Sequence, residues 1–181
     1  MIISAGRNEI FDFALPMGVG LVDMSINLTK FLCENRQSLP SEIIFVGSAG
    51  LYKEGKILKI YESRSAVNCE ISALYELSYS PISYEIAARN STNVSYETIT
   101  NSSNFITTDK KSALKFFERG YFLENMEFFA VLKVAQKFQI SAYGIFCATN
   151  FCDSNAHADF LKNHAAAKEN LTKYLKTKAL I

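Results

Sequence analysis

Three places in the chain set polar chemistry against an apolar background. Glu127 opens the segment Met126–Gln139, which is apolar nearly all round except for a stripe at Lys133, Gln136 and Lys137. At roughly 100° per residue, Glu127 lies about 120° from Lys133, so its carboxylate points off the wet stripe. A carboxylate there is costly unless partnered, which marks it as a candidate for chemistry. Thr149-Asn150 ends the apolar run Ala142–Ala148, leaving two hydrogen-bonding side chains at the carboxyl end of a buried strand. In open α/β sheets the crevice outside such strand ends is where ligands bind. Glu9 stands just beyond the turn that follows a short apolar strand, Met1–Ser4, with Arg7 inside that turn.

The remaining reactive groups are less suggestive. His164 falls on the apolar stripe of a terminal helix with Phe160, Ala167 and Leu171, and by itself reads as a packed core histidine; His157 lies about 20° from that stripe. Cys147 and Cys152 read as small apolar fillers with no base in sight for a thiol nucleophile. The four cysteines form no C-x-x-C pair, and with two histidines they make a zinc cluster improbable, so no metal is expected. Neither G-x-G-x-x-G nor a P-loop occurs.

The elements that must position these groups form an α/β pattern. Met24, Leu28, Phe31 and Leu32 recur at helical spacing over Asp23–Gln37, which Pro40 follows. Ile43–Val46 reads as a strand stopping on a loop, Gly47-Ser48-Ala49-Gly50. Strand, turn, helix, strand and glycine loop suggest a parallel sheet. IYES, VNCEISALYELSY and NVSYETIT read as further strands, with loops at Asn90–Asn93 and Asn101–Asn104. Asp109–Arg119 predicts an amphipathic helix with Leu114 and Phe117 on one side, and Ala156–Lys178 a terminal helix.

At 181 residues, 49% apolar and 13% aromatic, the chain suits one packed domain spanning residues 1–181. Nineteen basic against eighteen acidic residues give +1, so no global field would steer nucleic acid or an anionic membrane to it, and a small or proteinaceous partner is expected. MIISAGRNEIF lacks the features of a signal peptide, and no apolar run approaches a span of about 18 residues; a cytoplasmic setting is expected.

Taken in order, these pieces resemble the nucleoside phosphorylase and methylthioadenosine/S-adenosylhomocysteine nucleosidase superfamily over most of the chain. The start ending in Glu9 looks like the nucleosidase start, whose carboxylate activates the attacking water. GVGLVDMSINL looks like the stretch opening the first long helix, and Gly47-Ser48-Ala49-Gly50 matches the G-S-A-G loop beneath the sugar. Ser103-Asn104-Phe105-Ile106 looks like the loop whose aromatic stacks on the purine, and Asn125-Met126-Glu127 like the V-E-M-E motif that packs under the ribose and binds its hydroxyls. Thr149-Asn150 falls where nucleosidases have Ser-Asp and trimeric phosphorylases Thr-Asn; Asn163-His164 then matches a pair whose histidine meets the 5′-hydroxyl.

The resemblance implies a three-layer fold in which a mixed, twisted central sheet is flanked by helices. It also implies a purine nucleoside as ligand, no cofactor, and a homo-oligomer. Glu9, Glu127 and Asn150 become the catalytic candidates. Ser48, Ala49, Phe105, Ile106, Met126, Thr149 and His164 would bind substrate, with Arg7, Gly47 and Ser48 holding phosphate if it is a co-substrate. Several departures matter. The chain is short before PMGVG, Phe45 replaces the phosphate-binding arginine, Asn125 replaces the first glutamate of V-E-M-E, and Asn150 replaces the acid that protonates the leaving purine. Asn150 can donate a hydrogen bond but cannot deliver a proton. The expected function is therefore N-ribosyl bond cleavage, with hydrolysis placed slightly ahead of phosphorolysis. The alternative is a non-catalytic nucleoside-binding or scaffold protein of the same fold.

Overall fold

The computed structural model describes residues 1–88 and 97–181, so the expected loop at Asn90–Asn93 lies outside the described residues. Two long strands carry the architecture. β3 (Glu42–Leu51) and β8 (Ser141–Phe151) pair in parallel along their whole length. Along β8 the side chains alternate: Ala142, Phe146 and Ala148 enter one core, while Tyr143, Ile145 and Cys147 enter another. Both faces of the strand are buried, which is why its sequence is continuously apolar instead of alternating.

Helices α1 (Gly20–Glu34) and α4 (Phe128–Lys137) cover the first face, through Met24, Leu28 and Leu32 of α1 and Val131 and Leu132 of α4. The expected polar stripe of α4, Lys133, Gln136 and Lys137, faces solvent. Helix α5 (Ala156–Thr177) covers the second face through Ala167, Leu171 and Leu175. The three layers match the expected fold class.

Around β3 and β8 the sheet is mixed. β1 (Ile2–Ser4) pairs in parallel with β3 and with the two-residue β2 (Leu15–Pro16). β4 (Ile60–Val67) runs antiparallel to β8 and parallel to β6 (Glu97–Ser102), and β5 (Glu85–Ala87) extends it. β7 (Leu123–Asn125) then joins β6 to the end of β3. Because β8 contacts both β3 and β4, the strands β3, β7, β6, β4 and β8 close on themselves. Among the described residues no helix is long and apolar enough to cross a membrane.

Four local expectations are corrected. Gly47-Ser48-Ala49-Gly50 is not a loop but the last part of β3, carrying a register shift against β8 between Ala49 and Gly50. VNCEISALYELSY is not a strand: after Val67 the chain turns into the short helix α2 (Ile71–Leu74). Asn101 and Ser102 belong to β6, leaving only Ser103 and Asn104 of that cluster in the connection. Helix α3 (Lys110–Glu118) forms where expected, with Asp109 capping the Ser112 N–H, but it buries Ala113 and Phe116, while Leu114 is exposed.

Candidate active site

The carboxyl ends of β3 and β8 open onto a cavity of about 350 Å³, closed by the turn after β1, the link from β7 to α4, and the start of α5. Small-molecule sites typically span ~300–1,000 Å³. Glu9 enters from the β1 turn, which is tied down by hydrogen bonds from the Met17 and Gly18 N–H groups to Ser4 and Ala5. The Ser48 N–H donates to Glu9 Oε1 at 2.6 Å, and the Ser48 hydroxyl donates to the same oxygen. Gly47 makes room for the carboxylate: a Cβ there would stand 2.9 Å from Glu9 Oε2. Burial raises the pKa of Glu9 above the ordinary carboxylate value, partly offset by the bonds from Ser48 and the charge of Lys168.

Glu127 faces the same cavity from the N-cap of α4. Its Oε1 accepts the N–H of Gly20 at 2.8 Å, one of the first-turn amides of α1 that no helical carbonyl can satisfy. The next orphan, the Leu21 N–H, donates to Asn104 Oδ1 at 2.9 Å. The helix opening at PMGVG is thus capped by side chains about 80 to 110 residues away in sequence. Burial, and after it the charge of Glu9, pushes Glu127 up to about 8. Two carboxylates facing one cavity, Glu9 half-buried and Glu127 buried, cannot both ionise cheaply.

Thr149 and Asn150 sit at the end of β8 as expected. The Thr149 hydroxyl donates to Asn150 Oδ1 at 2.9 Å, and Asn150 Nδ2 donates to the Phe151 carbonyl at 3.0 Å. Asn163 of α5 holds this strand end, donating to the Thr149 carbonyl at 2.8 Å. Ala49, Ile106, Met126 and the exposed Arg7 also line the cavity.

Three candidates stand elsewhere. Phe105 is 76% exposed and borders a neighbouring cavity. Gly47 lies beneath Glu9, so the space it offers is already taken. His164 packs its ring on Phe160 at 5.6 Å, with Nδ1 buried and unpartnered, and does not reach the cavity. His157, one heptad earlier, does. The two histidines share a helix direction but lie about 10 Å apart along the axis, and only the first turn of α5 borders the site. Sequence reasoning also missed Phe160 and Glu124 as lining residues.

No protein-family model and no curated protein sequence matches the chain. Solved structures do. A futalosine hydrolase mutant of Helicobacter pylori superposes with a TM-score of 0.79 at 18% identity, covering 97% of this chain and 95% of that one. A Helicobacter pylori 5′-methylthioadenosine/S-adenosylhomocysteine nucleosidase mutant, with 5′-methylthioadenosine in its active site, gives 0.79 at 17% identity and the same coverage. The fold is that of the nucleosidases. The corresponding Streptococcus pneumoniae nucleosidase, with a transition-state inhibitor, gives 0.75 at 12% identity over 96% of this chain and 95% of that one.

On this nucleosidase fold two of the chain's departures, Phe45 and Asn125, have physical reasons. Phe45 is fully buried, its ring 5.8 Å from Phe146 and 6.3 Å from Phe128, so the position belongs to the core under α4. Asn125 works as a cap: its Oδ1 accepts the N–H groups of Glu127 and Phe128, each at 2.9 Å, while its Nδ2 donates to the Ser48 carbonyl at 3.1 Å. It fixes the backbone that aims Glu127 and ties it to the strand holding Glu9. Asn125→Ala is expected to lower stability by about 1–2 kcal/mol, read as a lower urea midpoint at unchanged slope.

Proposed function

We propose that the protein hydrolyses the N-ribosyl bond of a purine nucleoside. The observation that carries this reading is Glu9, held on the Ser48 N–H and hydroxyl and facing Glu127 across the cavity. A phosphorolytic site needs free donors for its anion. Here the donors of Ser48 are spent on a carboxylate. Arg7 is the one lysine or arginine on the cavity wall among the described residues.

In the proposed reaction Glu9 takes a proton from water, whose oxygen attacks the anomeric carbon while the C–N bond breaks and its electron pair moves onto the base. Burial raises the pKa of Glu9, which makes its carboxylate a stronger base toward that water. The sugar passes through an oxocarbenium-like state. Glu127 accepts hydrogen bonds from the ribose hydroxyls and, in its ionised form, sets negative charge beside the developing cation in a low-dielectric site. Met126, partly accessible at the cavity edge, gives the sugar an apolar floor. The nucleoside and inhibitor complexes of the structural neighbours are consistent with a purine ligand.

A homo-oligomer is part of the same reading. Leu77, Tyr79 and Ile82, each more than 70% exposed within one short stretch, suit a contact between copies.

The test is purine release from inosine, guanosine, adenosine and methylthioadenosine, each with and without phosphate. Release without phosphate is expected. Release only with phosphate contradicts the hydrolytic reading, and binding without release supports the scaffold alternative, which Asn150 favours.

A further inference from the structure

Hydrolysis at this site leaves one proton unaccounted for, because the departing purine must gain one and Asn150 has none to give. We propose that Glu124 is the acid that protonates the leaving base. The inference rests on the hydrolytic reading above.

Glu124 lies in the middle of β7 and borders the same cavity as Glu9, Glu127 and Asn150. Its register partner is Gly50, and Gly50 in turn pairs with Asn150. The three residues form a row across β7, β3 and β8, with no side chain in the centre. A Cβ at Gly50 would stand 3.1 Å from Asn150 Nδ2 and 2.8 Å from Cys152 Sγ, and that sulfur is 3.5 Å from Glu124 Oε2. Asn150 and Glu124 thus stand on either side of Gly50, over which the Cys152 sulfur and the Asn150 amide close, and both border the cavity, where Asn150 would hold the base edge and Glu124 would donate to it.

The surroundings of Glu124 are built for the carboxylate that remains after donation. The Thr107 N–H donates to Oε2 at 2.9 Å, and the Thr107 hydroxyl to Oε1 at 2.5 Å. The Tyr52 hydroxyl donates to Oε1 at 3.0 Å and itself accepts from Asn101 Nδ2 at 2.9 Å. Donors already aimed at the oxygens that become charged lower the barrier, because they need no reorganisation at the moment of reaction. Burial of Glu124 acts in the other direction and favours the protonated acid before the reaction. The side chain is 6% exposed, which keeps bulk water from supplying the proton instead.

The step balances. As the C–N bond breaks, its electron pair passes to the base and the Glu124 proton moves onto a base nitrogen. Glu9 gains the proton of the attacking water, and the two carboxyl groups regain their starting states by exchange with solvent after the products leave.

The experiment compares Glu124→Gln with the unaltered protein on two substrates, the purine nucleoside that it cleaves best and para-nitrophenyl riboside, whose leaving group needs no proton. The substitution is expected to lower kcat on the purine nucleoside by roughly 10²–10⁴-fold and to leave the nitrophenyl substrate within about threefold. Adding Asn150→Asp to Glu124→Gln is expected to restore purine cleavage, which also establishes that the variant site is folded. Unchanged purine cleavage by Glu124→Gln overturns the inference alone. Equal losses on both substrates, unrelieved by Asn150→Asp, overturn it too. If the unaltered protein cleaves neither substrate, the hydrolytic reading falls and takes this one with it.

Discussion

Glu127→Gln is expected to remove most of the turnover and, at pH 8, to make the empty protein more stable. Both effects come from one buried carboxylate. Losing the charge beside the developing cation costs roughly 10²–10³ in kcat, the scale seen when one preorganised electrostatic group is removed. The stability effect follows from linkage. Glu127 is raised from 4.5 to about 8 in the folded chain, so the folded state binds its proton more tightly than the unfolded state does. Its contribution is fully present below the unfolded value and is lost as pH rises toward about 8. The loss over that window is on the order of 5 kcal/mol. Glutamine keeps an acceptor for the Gly20 N–H and carries no charge, so the variant escapes that loss. Thermal unfolding of both proteins at pH 5 and pH 8 measures it: the unaltered protein loses more stability across the interval than the variant, which keeps the raised carboxyls of Glu9 and Glu124. A variant that is destabilised at pH 8, or one that retains normal turnover, contradicts the role given to Glu127.

The second large effect belongs to Glu9. Glu9→Gln removes the base that accepts the proton of water, and kcat falls by about 10²–10⁴-fold. KM changes little, since Glu9 acts on water and not on the nucleoside. The same substitution removes the charge that ranks second among the causes raising Glu127. The upper end of the pH window over which stability is lost therefore moves toward acid, and the total loss becomes smaller. Steady-state kinetics and pH-dependent unfolding of the one variant test both statements, and normal kcat in Glu9→Gln would remove the basis for water activation.

Glu127 was legible in the sequence because a carboxylate off the polar stripe of an otherwise apolar helix has few physical explanations. β8 and its polar end were legible for a related reason, a continuous apolar run that stops abruptly. The terminal helix was read correctly around its circumference but not along its length. Periodicity gives the direction in which His157 and His164 point; it does not tell which turn of α5 meets the cavity, and the structure gives that place to His157.

Gly47–Gly50 reads as a loop because glycine and alanine are depleted in strands, where they offer little side chain to pack. Their reason is tertiary: Glu9 closes on Gly47, and the side chains of Asn150 and Cys152 close on Gly50. Glu124 escaped notice because β7 is only three residues long and shows no alternation that would separate it from the start of α4. Asn125 read as the loss of a glutamate, whereas its side chain is a cap whose partners are amides that no sequence pattern displays.

The proposed reaction depends on water, activated by Glu9, being the nucleophile at the anomeric carbon. It is tested most directly by running the reaction in water labelled with heavy oxygen, with phosphate present, and analysing the sugar product by mass spectrometry. Attack by water gives free ribose, or its 5′-substituted form, with labelled oxygen at the anomeric position and no sugar phosphate. An unlabelled sugar phosphate contradicts it.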